Sequence, residues 1–124
     1  MKTLTLTLAA LALAGCSGKA ELSSGDYADA ATTAVGLSQG FVEANPALAA
    51  GGAATPILAL GAKYVIREGL IEAGYDEDEV NNTVDAVGWA GACHNIAIIS
   101  GANVAAGLVV GIVCGAVAYG GEDE

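Results

Sequence analysis

Few side chains of this 124-residue sequence are reactive: the cysteines Cys16, Cys93 and Cys114, and the single histidine His94. A histidine works in catalysis or metal binding together with partner groups, and neither a G-x-S-x-G serine motif nor a phosphate-binding loop accompanies His94. We therefore expect no catalytic residue, no cofactor and no metal ligand. The chemistry that remains is that of the thiols.

The densest group of acids, DEDE at 76–79, is interpreted as the start of a helix. Asp76 is the expected N-cap, and Glu79 stands where a capping-box acid reaches back to the cap residue. A calcium loop spaces its acids through a longer turn with a central glycine. That spacing is absent, which argues against a metal site.

Cys16 follows a segment with the layout of a secretory signal. Lys2 gives a positive start, residues 4–13 form a short apolar run, and small residues precede the cysteine. The run is too short to span a bilayer well. Its ending, Leu13-Ala14-Gly15-Cys16, resembles the lipobox of bacterial lipoproteins.

That resemblance implies cleavage before Cys16 and a diacylglycerol on its thiol, so the expected partner is membrane lipid. At about 0.8 kcal/mol per buried methylene, two or more acyl chains anchor a protein stably. Ser17 follows the cysteine, and by analogy with enterobacterial sorting this favours the periplasmic face of the outer membrane. The alternative is an ordinary signal peptide whose cysteine ends in a disulfide.

Charge is unbalanced over the mature chain. Removal of a 15-residue leader removes Lys2 and leaves 3 basic residues against 14 acidic ones, a net charge of −11. This surface excludes nucleic acid as a partner and gains no attraction from anionic headgroups. The acids are best explained as solvated side chains.

Helix start and stop signals recur along the chain and strand-like alternation is almost absent, which predicts an all-α fold. With 18 glycines and few aromatic residues, we expect a small Gly/Ala-rich bundle or helical hairpin, membrane-associated or membrane-spanning. The expected segments are a cleaved leader over 1–15, a lipidated tether over 16–25, a helical domain over 26–119 and an acidic tail over 120–124.

The first helix is expected to be capped by Asp26 and to end near Glu43. Its predicted buried face carries Tyr27, Ala31, Ala34, Val35 and Val42. The glycine pair at 51–52 then predicts a break, because each glycine weakens a helix by about 1 kcal/mol relative to Ala. A second helix is expected to follow and to end at a left-handed Gly74, with Arg67 close to its own acids Glu68 and Glu72.

An uncharged stretch over 89–119 has the length of a helix of about 46 Å. A bilayer core needs only about 20 residues, so a bend is expected at 100–103, with 96–119 still long enough to span. Within this stretch three glycines at intervals of four resemble a glycine zipper; they are Gly107, Gly111 and Gly115.

The partner of this zipper stays open on sequence grounds. One alternative is the earlier apolar helix, through Ala50, Ala54 and Gly61. A second is the same helix of another copy, and a third is ordinary tight packing inside one monomer.

Three polar residues interrupt the apolar stretch and are expected to be buried: His94, Asn95 and Asn103. A hydrogen bond between helices is the favoured role of His94, with a proton relay or gate as the alternative. Cys93 and Cys114 can form a disulfide only if the chain folds back near Gly101, since a straight helix separates them by about 31 Å. Buried free thiols are the alternative.

These features favour a non-catalytic, lipid-anchored envelope protein that packs its helices against itself or envelope partners, in an assembly, exclusion or immunity role. The alternative is an oligomeric pore or membrane-disrupting element, because the composition is similar to small gram-negative bacteriocins of the colicin V type. The leader departs from their double-glycine signal. The inner membrane is the alternative location, since Lys63 and Arg67 satisfy the positive-inside rule.

Overall fold

The computed structural model describes residues 20–43 and 46–121, so Cys16, the leader and the acids at 122–124 lie outside the described residues. Four long helices form the fold: α1 (Ser24–Ser38), α2 (Thr55–Glu72), α3 (Glu77–Ile99) and α4 (Val104–Gly120). A short helix, Pro46–Ala49, and a 3-10 turn, Gly52–Ala54, lie between α1 and α2. The described ranges contain no strand, and the predicted all-α class is confirmed.

Most helix boundaries follow the predicted signals. Gly74 ends α2 with a φ of 96°, and the chain breaks before α2 at the predicted glycine pair, 51–52. Asp76 caps α3 by accepting a hydrogen bond from the Glu79 N–H at 3.0 Å. These positions are predictable because a left-handed residue and an exposed N-terminal turn each demand particular residue types.

The first helix departs from prediction at both ends and in its orientation. Its N-cap is Ser23, whose N–H donates to Asp26 at 2.9 Å, and it ends at Ser38, ahead of Glu43. The predicted buried face is wrong, because all five of its residues are exposed, Val42 by 87%. The residues of α1 that are buried are Gly25, Asp26, Ala30 and Gly36.

The long uncharged stretch is divided into two antiparallel helices. The turn at 100–103 contains Gly101 with a φ of 95°, and α4 starts after it. The prediction that 96–119 forms one membrane-length helix is therefore wrong, and α4 has 17 residues. Across the described part of the chain, no helix is both long enough and apolar enough to cross a membrane.

Contacts between the helices fix their directions. The Gly25 N–H at the start of α1 donates to Asp85 of α3, and Asn95, further along α3, donates to Thr33, further along α1, so these two helices are parallel. Helices α2 and α4 run the opposite way and pack against α1 and α3 respectively. The starts of α1 and α3 and the ends of α2 and α4 therefore meet at one end of the bundle.

We call this the acidic end, because it carries Glu21, Glu72 and the four acids at 76–79, all exposed. Near it lies the one cluster of large buried aliphatic residues in the described chain, Ile71, Val80 and Val84, with Leu70 packed against them. Elsewhere the helices meet largely through alanine, glycine and polar side chains, with Trp89, Ile98 and Ile99 packed against glycines of neighbouring helices.

Candidate functional site

A buried ion pair joins α2 to α1. Arg67 and Asp26 are both 0% exposed, and the Arg67 guanidinium donates to Asp26 through Nη1 and to Ser23 Oγ, at 3.0 Å, through Nη2. Buried charges of this kind stabilise a fold only when paired and hydrogen-bonded. The pair therefore fixes where α2 sits on α1.

A second ion pair lies one helical turn away from the first on both helices. Lys63 Nζ is 2.7 Å from Asp29 and 3.7 Å from Asp26, and its side chain is 15% exposed. The sequence predicts that Arg67 lies close to Glu68 and Glu72 of its own helix. That prediction does not identify the bonded partner of Arg67, which lies in another helix. Both basic residues of the described chain are thus used between α1 and α2.

Polar side chains also join α1 to α3. Asn95 Nδ2 donates to Asp29 at 3.3 Å, to Thr32 at 3.2 Å and to Thr33 at 3.0 Å. At the other end of the interface, Asp85 accepts the Gly25 N–H at 2.7 Å. Asn95 thus makes the kind of hydrogen bond between helices that was predicted from the sequence for His94.

Between these polar contacts, glycines let the two backbones meet. A Cβ on Gly88 would overlap the backbone of Gly25, and one on Gly25 would overlap the carbonyl oxygen of Asp85. A Cβ on Gly91 would lie against the Asp29 carboxylate. The α1–α3 contact therefore depends on the absence of side chains at all three glycines.

The predicted zipper residues Gly107, Gly111 and Gly115 are buried, and they face α3 of the same chain. A Cβ on Gly111 would lie 2.7 Å from the Ala90 carbonyl oxygen, and one on Gly115 would lie 2.9 Å from that of Ala86. A pore assembled through these glycines would have to open the hairpin first.

Of the partners proposed for the zipper, the earlier apolar helix is not the observed one, whereas tight packing inside one monomer is observed. Ala50, Ala54 and Gly61 are exposed, and a Cβ on Gly61 would meet nothing within 4 Å. Antiparallel α3 occupies the glycine face instead, because the turn at 100–103 is short enough to bring the next helix back directly.

Two of the predicted buried polar residues behave differently from expectation. Asn103 is exposed, and its side chain caps α4 by accepting the Ala106 N–H at 2.9 Å. His94 is half-buried against Gly107, and its Nδ1 atom is buried without a hydrogen-bond partner among the described residues. The histidine side chain packs against the glycine face of α4.

A disulfide joins Cys93 of α3 to Cys114 of α4, with 6.3 Å between their Cα atoms. The hairpin, unlike a straight helix, brings these residues to the same level. The bond closes the chain between α3 and α4 at about the middle of their contact.

Replacing Cys93 and Cys114 together by serine is expected to lower the free energy of unfolding by about 3 kcal/mol, since the closed loop of 21 residues restricts the unfolded chain. Chemical denaturation followed by circular dichroism measures the loss. Reduced wild-type protein is the control and should match the double variant. Equal stability of oxidised wild type and double variant would show that the bond contributes nothing.

The side of α4 that faces away from α3 is apolar and exposed. We call this set the α4 outer face; it consists of Leu108, Val109, Val110, Ile112, Val113 and Val117, each 46–69% exposed. Withdrawing these side chains from water would contribute on the order of 1 kcal/mol each. Contiguous exposed apolar surface of this kind marks an interaction site.

A cleft of about 370 Å³ lies at the opposite end from the acids, between α1 and the α3–α4 turn. Its lining is largely apolar, with Phe41, Ile98 and Val104 among the residues, and it also includes the polar residues Thr32, Thr33, Glu43, His94 and Asn95. Thr33 and Asn95 already hydrogen-bond each other. These two polar residues of the cleft therefore serve the α1–α3 contact.

The fold and these surfaces define a class, a small disulfide-bonded all-α bundle with glycine-mediated contacts and an apolar exterior. Comparison of the chain with protein-family models, with curated proteins and with solved structures finds no significant match. The functional conclusion therefore depends on the distribution of charge and apolar surface.

Proposed function

We propose that this chain is a non-catalytic, lipid-anchored protein of the bacterial envelope, held on the membrane by acylated Cys16. Its bundle would act by presenting apolar helix faces to envelope partners or to further copies of itself. The role would be one of assembly, exclusion or immunity.

One observation carries this proposal, the reversed distribution of polarity. Arg67 and Asp26 are fully buried, whereas Ile112 and Val117 on α4 are each 69% exposed. A bundle surrounded by water alone normally places its aliphatic residues inside and its charges outside. The reversal supports an apolar neighbour for the outer surfaces.

The links between the helices support a role in presenting a fixed surface. The disulfide ties α3 to α4, the ion pairs tie α1 to α2, and backbone contacts at glycines tie both α1 and α4 to α3. A disulfide also persists in oxidising compartments such as the periplasm, which supports export of the chain.

The start of the described chain supports a short anchor. The Ala20 N–H donates to Glu68 at 3.3 Å, and Ala20 is buried at the acidic end. Only three residues then separate Cys16 from Ala20, a fixed position on the bundle, and the four Cα–Cα steps reach at most about 14 Å. An acylated Cys16 would hold the bundle close to the membrane surface.

Cys16→Ser tests the proposal. We expect the variant to lose incorporated acyl label and its acyl-dependent processing, because the thiol is the acyl acceptor. Metabolic labelling with a fatty acid, followed by mass spectrometry of the mature N-terminus, measures this. The Cys93→Ser, Cys114→Ser double variant is the matched control and should retain the label. A mature protein with a free Cys16 thiol would refute the proposal.

A further inference from the structure

The α4 outer face is wider than one protein partner needs. Successive helix residues are turned by about 100°, so the exposed apolar positions of α4 cover an arc of about 200°. A helix that packs on one neighbour needs an apolar stripe of about 100°. One further helix would therefore leave half of this arc in water, whereas an apolar solvent would cover all of it.

The exposed charges of the described bundle lie at one end, and the half-buried Glu43 lies at the other. In the ranges 20–43 and 46–121, the exposed charged side chains are Glu21, Glu72 and the acids at 76–79. The sides of the bundle expose apolar residues on other helices too, including Tyr27 of α1 and Ile66 of α2, each 55% exposed. An amphipathic partner that separates apolar from aqueous surroundings matches this division.

We infer that the α4 outer face lies against the hydrocarbon of a lipid bilayer, with the acidic end in water. This is contact by a face, and it does not require that any helix crosses the bilayer. The inference rests on the proposed function for the acyl anchor that brings the bundle to the membrane.

The position of the anchor agrees with this orientation. Ala20 lies at the acidic end, so the acylated cysteine four residues earlier would lie at the level where water meets the bilayer. Acyl chains from that level enter the same leaflet as the apolar sides of the bundle. The buried Arg67–Asp26 pair fits such surroundings, since charges near hydrocarbon are tolerated when they face the bundle interior and are paired.

Depth-dependent fluorescence quenching tests the inference. The acylated protein is placed in phosphatidylcholine vesicles with bromine atoms at the middle of the acyl chains. Trp89 is kept in every variant, and its own quenching is subtracted. In Val113→Trp, we expect about half of the added fluorescence to be lost to the brominated lipid, since an embedded helix face lies about 5–10 Å deep.

Tyr75→Trp is the matched control, because Tyr75 is an exposed aromatic residue in the turn at the acidic end. Its added fluorescence should be quenched by aqueous iodide and not by brominated lipid. Val109→Trp, on the same face as residue 113, keeps the test valid if Val113→Trp does not fold.

Three results would overturn the inference. Quenching at 113 and 109 by iodide alone would place the face in water. Quenching by neither agent would show that a second copy or another protein covers it. Equal lipid quenching at 75 and 113 would contradict the orientation. Flotation of the protein with the vesicles reports the anchor separately, so loss of flotation counts against the proposed function, whereas flotation without lipid quenching counts against this inference alone.

Discussion

Arg67→Met is expected to lower the free energy of unfolding by about 3–5 kcal/mol, because it leaves Asp26 buried without its hydrogen-bonded charged partner and with only Lys63, 3.7 Å away, as a basic neighbour. Methionine keeps most of the side-chain volume of arginine and leaves little empty space. The loss of stability therefore reports the loss of the charge. Chemical denaturation of the purified protein, followed by circular dichroism, measures the loss.

Two further variants separate pairing from packing. Lys63→Met removes the more exposed of the two ion pairs and should cost no more than about 1 kcal/mol. Asp26→Leu combined with Arg67→Met removes both buried charges, and replacing a buried pair by apolar residues is often neutral. We therefore expect the double variant to be more stable than Arg67→Met. A double variant as unstable as the single one would show that shape, and not charge, holds α2 on α1.

Apart from those of α1, the helix boundaries were predictable because they depend on local chemistry. The left-handed backbone at position 74 requires a glycine, and the exposed start of α3 favours an acid such as Asp76 as its N-cap. Both residues can be recognised in the sequence. The bend at 100–103 was predictable because a glycine and an asparagine there suit a turn and an N-cap. None of these signals depends on what the helix later packs against.

The buried faces were not predictable from the periodicity of apolar residues. That rule assigned Tyr27, Val35 and Val42 to the interior of α1, whereas the interior side holds Gly25 and Asp26. The rule assumes that water surrounds the protein and that helices meet through large side chains. Here the contacts are made by backbones and ion pairs, so the aliphatic stripe points away from them.

The sequence does contain a signal for the ion pairs, namely the spacing of the charged residues. Asp26 and Asp29 are three residues apart in α1, and Lys63 and Arg67 are four apart in α2, so each pair lies on one face of its helix. Antiparallel packing then sets the two faces against each other in register. In a chain with so few basic residues, this matched spacing identifies the α1–α2 contact.

The glycine contacts between helices lead to the second large expected effect. Gly88→Ala should lower the free energy of unfolding by about 3 kcal/mol, at the upper end of the range for overpacking. Its Cβ would overlap the carbonyl carbon and oxygen of Gly25, and backbone atoms cannot move aside as a flexible side chain can. Relief requires α1 to shift from α3, which would also disturb the bond from the Gly25 N–H to Asp85.

Gly69→Ala provides the matched control for this substitution. Gly69 lies inside α2, is exposed, and its Cβ would meet nothing within 4 Å. Alanine there should stabilise the protein by about 0.5–1 kcal/mol, because it restricts the unfolded chain without a clash. The same glycine-to-alanine change is thus expected to raise the free energy of unfolding at position 69 and to lower it at position 88, as measured in one denaturation experiment. A stabilising effect at 88 would mean that α1 and α3 do not meet through their backbones, and the close contact on which this bundle depends would have to be abandoned.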